Sequence, residues 1–202
     1  MGEDFFADPE GTREQILAAT YRTLRERGYA DLTISAIGEE FEKSPSLVYR
    51  HYDSKDDLVL ACLRFMLEEF EAELTEADFE DPRGRLEEFV GWGLGDAPPE
   101  QRRFVSTLVE LRSQAVHDAA YREHFTRSDE VFVGYVADVI RAGIDRGEFR
   151  ECDPVRMAET LVTTMSGAML RRSTCESEVC LEGVRAGLEG LLESQVYNPD
   201  AA

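Results

Sequence analysis

The chain has 202 residues, 42 of them acidic and 22 basic, and a formal net charge of −20. That length suits one ordinary domain or a small one fused to a larger, and a hydrophobic fraction of 43% supplies a core, which excludes a solvated tail. No apolar run reaches membrane-helix length, and the opening MGEDFFADPEG is acidic where a secretory signal is basic and then apolar, so a cytoplasmic protein is expected.

The excess acid is spread along the whole chain, and lysine occurs only at Lys43 and Lys55. Such a surface keeps a protein soluble and discourages casual contact with nucleic acid. It resembles the surfaces of proteins from salt-accumulating halophiles; the plainer alternative is an ordinary acidic cytoplasmic protein. The four cysteines, Cys62, Cys152, Cys175 and Cys180, lack the neighbouring His or second Cys pair that a zinc site needs, and are expected as thiols.

Taken in chain order, the pattern is helical. Thr12 to Gln15 reads as a capping box, Ile16, Ala19, Thr20 and Leu24 share a face, and Gly28 ends the first helix. Thr33 opens a short second helix with Ile34, Ile37 and Phe41 inward. Ser44 and Pro45, a cap followed by proline, open a third helix over 45–52. Ser54 and Asp57 repeat the capping logic for a long helix to about residue 74. Further helices are expected at roughly 83–94, 101–125, 128–147, 154–172 and 178–195, with breaks at GDAPPE and Gly147. No strand-period segment of useful length or internal repeat intervenes, so the fold class is all-α.

Two short helices after a longer one describe a helix-turn-helix unit. At 100° per residue, Ser46, Tyr49 and Arg50 fall on one face of the third helix with Leu47 beside them, and Val48 and Tyr52 fall opposite, toward Ile37 and Phe41. The outward face suits DNA: a guanidinium pairs with guanine or phosphate, a phenol donates to phosphate, and Lys55 reaches a phosphate from the next helix. Residues 44–55 carry Arg50 and Lys55 against Asp53, whereas residues 1–60 carry seven basic and thirteen acidic side chains. The plain alternative is a solvated helix face.

The stretch LTISAIGEEFEKSPSLVYRHYDSKDDLVLACL, residues 32–63, resembles the DNA-binding domain of the tetracycline-repressor-like (TetR) family, and ILAATYRTLRERGY at 16–29 resembles its first helix. The usual turn glycine of that family is Glu42 here. The resemblance implies a helix-turn-helix domain over 1–56 and a helical ligand-binding and dimerisation domain over 57–202. It implies that Ser35, Pro45, Ser46 and Leu47 sit in or beside the major groove, and that Thr33, Tyr49, His51 and Lys55 hold phosphates. Arg50 could do either, and Lys43 stands at the turn. His51 has a rival role as a packed, hydrogen-bonded residue.

The C-terminal portion resembles the family's second domain, most visibly at AGIDRGEFRECDPVRMAETLVTTMSGAML, residues 142–170. Apolar stripes on the last two helices suit a four-helix dimer interface, with Leu161, Met165, Ala168, Leu181, Val184, Leu188 and Leu191 as candidates; the alternative is burial within one chain. A ligand cavity is suggested by Phe89, Trp92, Phe104, Leu108, Phe132, Tyr135, Met165 and Met169, with Arg112 and His117 as polar contacts. No triad, metal cluster or phosphate loop marks an enzyme, and no cofactor or metal ligand set is expected. The expectation is a dimeric repressor that binds a palindromic operator on double-stranded DNA and is released by a small-molecule effector. A second reading is a helical small-molecule binder of the same fold that has lost DNA binding.

Overall fold

The computed structural model describes residues 6, 8–41, 45–76, 79–95, 99–176 and 181–199. Among them are nine α-helices, and the expected all-α class is correct. The chain folds as two compact units, one from Gly2–Thr75 with Pro98–Thr126, the other from Glu76–Ala97 with Arg127–Ala202. The division expected at residue 56 does not coincide with these units, because α4 (Lys55–Glu76) runs through it without a break.

In the first unit, α1 (Gly11–Arg27) starts differently from the expected Thr12 capping box. Its N-cap is Glu10, whose side chain makes no cap bond; the Glu14 carboxylate instead accepts the Glu10 amide at 2.7 Å. The helix stops at Gly28, whose φ of 75° is open to glycine and strained for other residues. Thr33 caps α2 (Ile34–Glu40) by accepting the Ala36 amide at 3.1 Å. α3 (Pro45–Val48) is only four residues, and the expected Ser44 cap lies outside the described residues. The Ser54 hydroxyl accepts the Asp57 amide at 3.0 Å and donates to its carboxylate at 2.8 Å, so the cap expected for α4 is present.

These helices close over Ile16, Leu17, Leu24, Ile37, Val48, Leu58 and Cys62, joined by Leu111 of α6 (Pro99–Gln114) and Tyr121 and Phe125 of α7 (Ala119–Asp145). Each such buried aliphatic side chain contributes about 1.5–3 kcal/mol. Phe6 adds a ring stacked on Phe65 at 5.0 Å and tilted against Tyr21 at 5.5 Å.

The break between the two middle helices lies at 115–118, where the sequence reading had a helix continuing to 125. Arg122 reaches back to the Ala115 and Val116 carbonyls at 3.0 and 3.2 Å, and the Asp118 carboxylate accepts the Ala120 amide at 2.7 Å. No glycine or proline stands between Asp118 and Gly134, so α7 passes residues 126–127 intact.

In the second unit, Asp81 and Pro82 open α5 (Pro82–Leu94), the carboxylate accepting the Gly84 amide at 2.8 Å. Asp153 does the same for α8 (Pro154–Thr174), accepting the Arg156 amide at 3.2 Å. α5 packs on α8, and a Cβ at Gly93 would stand 2.2 Å from the Met165 sulfur, so glycine is what lets the helices approach. α9 (Glu182–Gln195) follows; the start expected for it at 178 lies outside the described residues. An isolated antiparallel bridge joins Phe149 to Tyr197. Cys62, Cys152 and Cys175 are free thiols, and burial pushes the Cys62 thiol up from its ordinary range. Among the described residues no helix is long and apolar enough to cross a membrane.

Candidate DNA-binding surface

The roll of α3 is fixed by its apolar side. Val48 is fully buried with Ile37 and Phe41, and Leu47 and Tyr52 are partly buried against the same core. Burying that side turns the other outward. Tyr49 is 59% exposed, and Ser46, Arg50 and His51 are exposed as well. Tyr49, Arg50 and His51 do not sit within a helix to residue 52, as expected, but on the hydrogen-bonded turn that follows it. The Arg50 amide donates to the Leu47 carbonyl at 3.2 Å, and the His51 and Tyr52 amides share the Val48 carbonyl at 3.0 and 3.1 Å. The packed alternative for His51 does not match its exposed place.

Thr33 and Ser35 are exposed at the start of α2. Thr33 accepts a bond as the helix cap, and its hydroxyl proton remains available to donate. Leu47 lies against the core rather than standing wholly free. Pro45 is described by its backbone alone, and Lys43 lies outside the described residues.

Lys55 departs furthest from expectation. Its ammonium donates to the Tyr29 carbonyl at 2.8 Å and sits 3.9 Å from the centre of the Tyr29 ring. A carbonyl and an aromatic face satisfy the charge within the unit, so reaching a phosphate requires leaving both. Beside it, one oxygen of Asp56 accepts the Tyr29 hydroxyl at 2.5 Å and the Tyr121 hydroxyl at 3.0 Å. Burial first, then the Asp56 carboxylate, pushes Tyr29 up to about 12, and the same causes raise Tyr121 well above its ordinary value. Both phenols therefore remain proton donors at neutral pH. The sequence reading missed this cluster.

Three of the four arginines of α1 are also engaged. Arg22 pairs with Glu40 at 2.6 Å, Arg27 with Glu39 at 3.8 Å, and Arg25 lies over the Tyr21 ring at 5.3 Å. Among the described residues, Arg50 is in no ion pair. The outward face thus offers hydroxyl, phenol, imidazole and guanidinium on a compact support, groups that bond to phosphate oxygens and base edges.

The residues expected to line a ligand cavity divide between the units. In the second, Phe89 meets Phe132 at 6.4 Å and Tyr135 at 6.2 Å, Phe79 meets Tyr135 at 6.1 Å, and Trp92 and Met169 are half-buried. In the first, Phe104 meets Tyr21 edge-on at 5.1 Å, Leu108 packs on the core, Arg112 lies over Phe125 at 5.2 Å, and His117 is exposed in the 115–118 turn. Those four are thus engaged by, or stand on the surface of, their own unit.

Of the residues expected at a dimer interface, Leu161, Met165, Ala168, Leu181 and Leu188 are buried in the single chain, with Val184 and Leu191 half-buried. The stripes seal the unit's own core. The open faces carry Thr163, Gly167 and Leu170 on α8 and Gly183, Gly187 and Gly190 on α9; a Cβ at any of these four glycines meets nothing within 4 Å.

The sequence of this head is matched by a family model for bacterial regulatory proteins of the tetR family, over residues 16–62. A second model, for the C-terminal part of BetI-type transcriptional repressors, matches residues 82–196. The chain is 29% identical to the transcriptional repressor AcnR of Corynebacterium efficiens over 193 residues, covering 95% of this chain and 96% of that one. The crystal structure of a TetR transcription regulator from Haloarcula marismortui is similar at a TM-score of 0.75 and 35% identity, covering 91% of this chain and 97% of the other. A chain from Saccharomonospora viridis, solved in complex with choline, has a TM-score of 0.73 and 25% identity, with 92% and 97% covered. With an exposed Tyr49–Arg50–His51 face on a helix-turn-helix head and family models matching both portions, the chain belongs to the TetR family of DNA-binding, ligand-responsive transcriptional repressors.

Proposed function

We propose that the protein acts in the cytoplasm as a homodimer, binds a palindromic operator on double-stranded DNA, and leaves it when a small molecule binds. Residues 1–56 serve as the DNA-binding head and 57–202 as the effector-binding and dimerising portion. The observation that carries the reading is the exposed Tyr49–Arg50–His51 turn held on a sealed apolar support. In this role Ser35, Pro45, Ser46 and Leu47 face the groove, Thr33, Tyr49 and His51 hold phosphates, Arg50 reads a base or a phosphate, and Lys43 flanks the turn. Lys55 joins only by giving up Tyr29. Two heads bind half-sites one turn of DNA apart, about 34–36 Å.

The small-residue faces of α8 and α9 suit close helix approach to a second copy. The rings of the second unit, Phe79, Phe89, Phe132 and Tyr135, suit a quaternary ammonium effector, because aromatic faces attract cations; the choline-bound relative supports that class. The effector releases DNA only by binding the non-binding conformation more tightly. The acid-rich, lysine-poor surface fits a protein working in concentrated salt.

Selection of duplexes from a random pool, followed by anisotropy titration with and without choline, tests this. Recovery of a palindrome whose complex weakens with choline is the expected result. Folded protein that enriches no sequence at any salt supports instead the small-molecule binder that has lost DNA binding, which the net charge of −20 and the engaged Lys55 favour.

A further inference from the structure

We propose that Asp56 is a joint through which α7 sets the position of the DNA-binding helices. The carboxylate stands in the first turn of α4, six residues after Arg50, and a single oxygen holds phenols from two distant segments. Tyr29 comes from the corner between α1 and α2, and Tyr121 from the first turn of α7, 27 and 65 residues away in sequence. Tyr121 is only 1% exposed, and its amide donates to the Asp118 cap at 3.2 Å, so its hydroxyl is aimed by the start of α7 itself. Tyr29 in turn holds Lys55 by carbonyl and ring, which ties the corner to α4 a second time.

An acceptor shared by two donors makes each bond depend on where the other donor stands. If the start of α7 shifts, Tyr121 either draws the carboxylate with it or leaves half of that oxygen's partners behind. Tyr121 is too buried for water to replace it, so following is the cheaper outcome. The first turn of α4 then moves, and with it the 49–54 link that ends in the first turn's cap and begins at Tyr49 and Arg50. α7 is one helix from Ala119 to Asp145, and its residues from Arg127 onward belong to the other compact unit. A change in that stretch therefore has a covalent route to the joint. The inference rests on the reading of the head as the DNA-binding portion for its second measurement alone.

Hydrogen exchange on the full chain, wild type against Tyr121→Phe, is the first measurement. The expected result is exchange about threefold or more faster at residues 29–32 and 55–58, with the buried face of α1 around Ile16–Leu24 unchanged. An unchanged corner, or acceleration spread evenly over the whole unit, overturns the joint and leaves Tyr121 a packing residue. The second measurement uses Trp92, the chain's one tryptophan, and a selected operator duplex. Saturating DNA shifts Trp92 emission in the wild type and shifts it less than half as far in Tyr121→Phe, which still binds; an equal shift in both, or none in the wild type, overturns the proposal. Wild type that binds no duplex defeats the DNA-binding reading instead, and the exchange result decides the joint.

Discussion

Arg50→Ala is the sharpest perturbation of the head. On α1 the arginines at 22 and 27 are paired with Glu40 and Glu39, and Lys55 is held by Tyr29, so Arg50, on the turn after α3, carries the fixed charge ready for a duplex. Each phosphate contact contributes about −0.9 to the slope of log affinity against log salt, so two copies of Arg50 on phosphates account for about −1.8. Between about 50 and 200 mM salt that is roughly a twelvefold change in affinity. If Arg50 reads a base instead, the slope stays and discrimination falls by ~1–3 kcal/mol per contact, about 5- to 140-fold. Anisotropy titrations of the selected and a scrambled duplex over a KCl series separate the two. A variant that keeps wild-type affinity, slope and discrimination puts Arg50 off the interface.

Three further outcomes follow from the packing. Gly143→Ala places a Cβ 2.2 Å from the Phe149 ring and should destabilise by ~1–3 kcal/mol, read as a lower urea midpoint. A Cβ at Gly167 or Gly187 meets nothing within 4 Å in one chain, so Gly167→Leu with Gly187→Leu should still fold while sedimenting as a monomer; a dimer of normal strength removes these faces from the interface. The Tyr29 pKa is raised in the fold to about 12, chiefly by burial and then by Asp56 with a smaller part from Glu110, so its stabilising share is whole below pH 10 and is lost as pH rises toward 12. The urea midpoint should fall across that window, and less steeply in Tyr29→Phe.

Much of the head was legible in sequence because local chemistry decides it. Thr33 and Ser54 cap helices as their spacing predicts, and Val48 is buried while Tyr49 is exposed, as the apolar pattern of the segment predicts. Where a second segment competes, local reading fails. Lys55 looks like a phosphate ligand until Tyr29, 26 residues earlier, claims it. Thr12 looks like a cap until Glu14 satisfies the Glu10 amide first. The α6–α7 break was missed because its signals are an Arg122 side chain folding back and a lone Asp118, with no glycine or proline to mark the place. The stripe through Leu161 and Met165 was recognised as apolar, but periodicity cannot say whether a helix on the same chain or another one covers it. The Asp56 cluster had no local signal, since its partners come from opposite ends of a long stretch of chain.

The pairs Arg22–Glu40 and Arg27–Glu39 bear on how an acidic protein approaches a polyanion. They cancel two of the head's negative charges in place, and they do so by stitching α1 to α2 rather than by recruiting ions from solution. Both arginines are already counted in the seven basic and thirteen acidic side chains of residues 1–60, so the pairs leave the head's net charge unchanged and fix only where it lies.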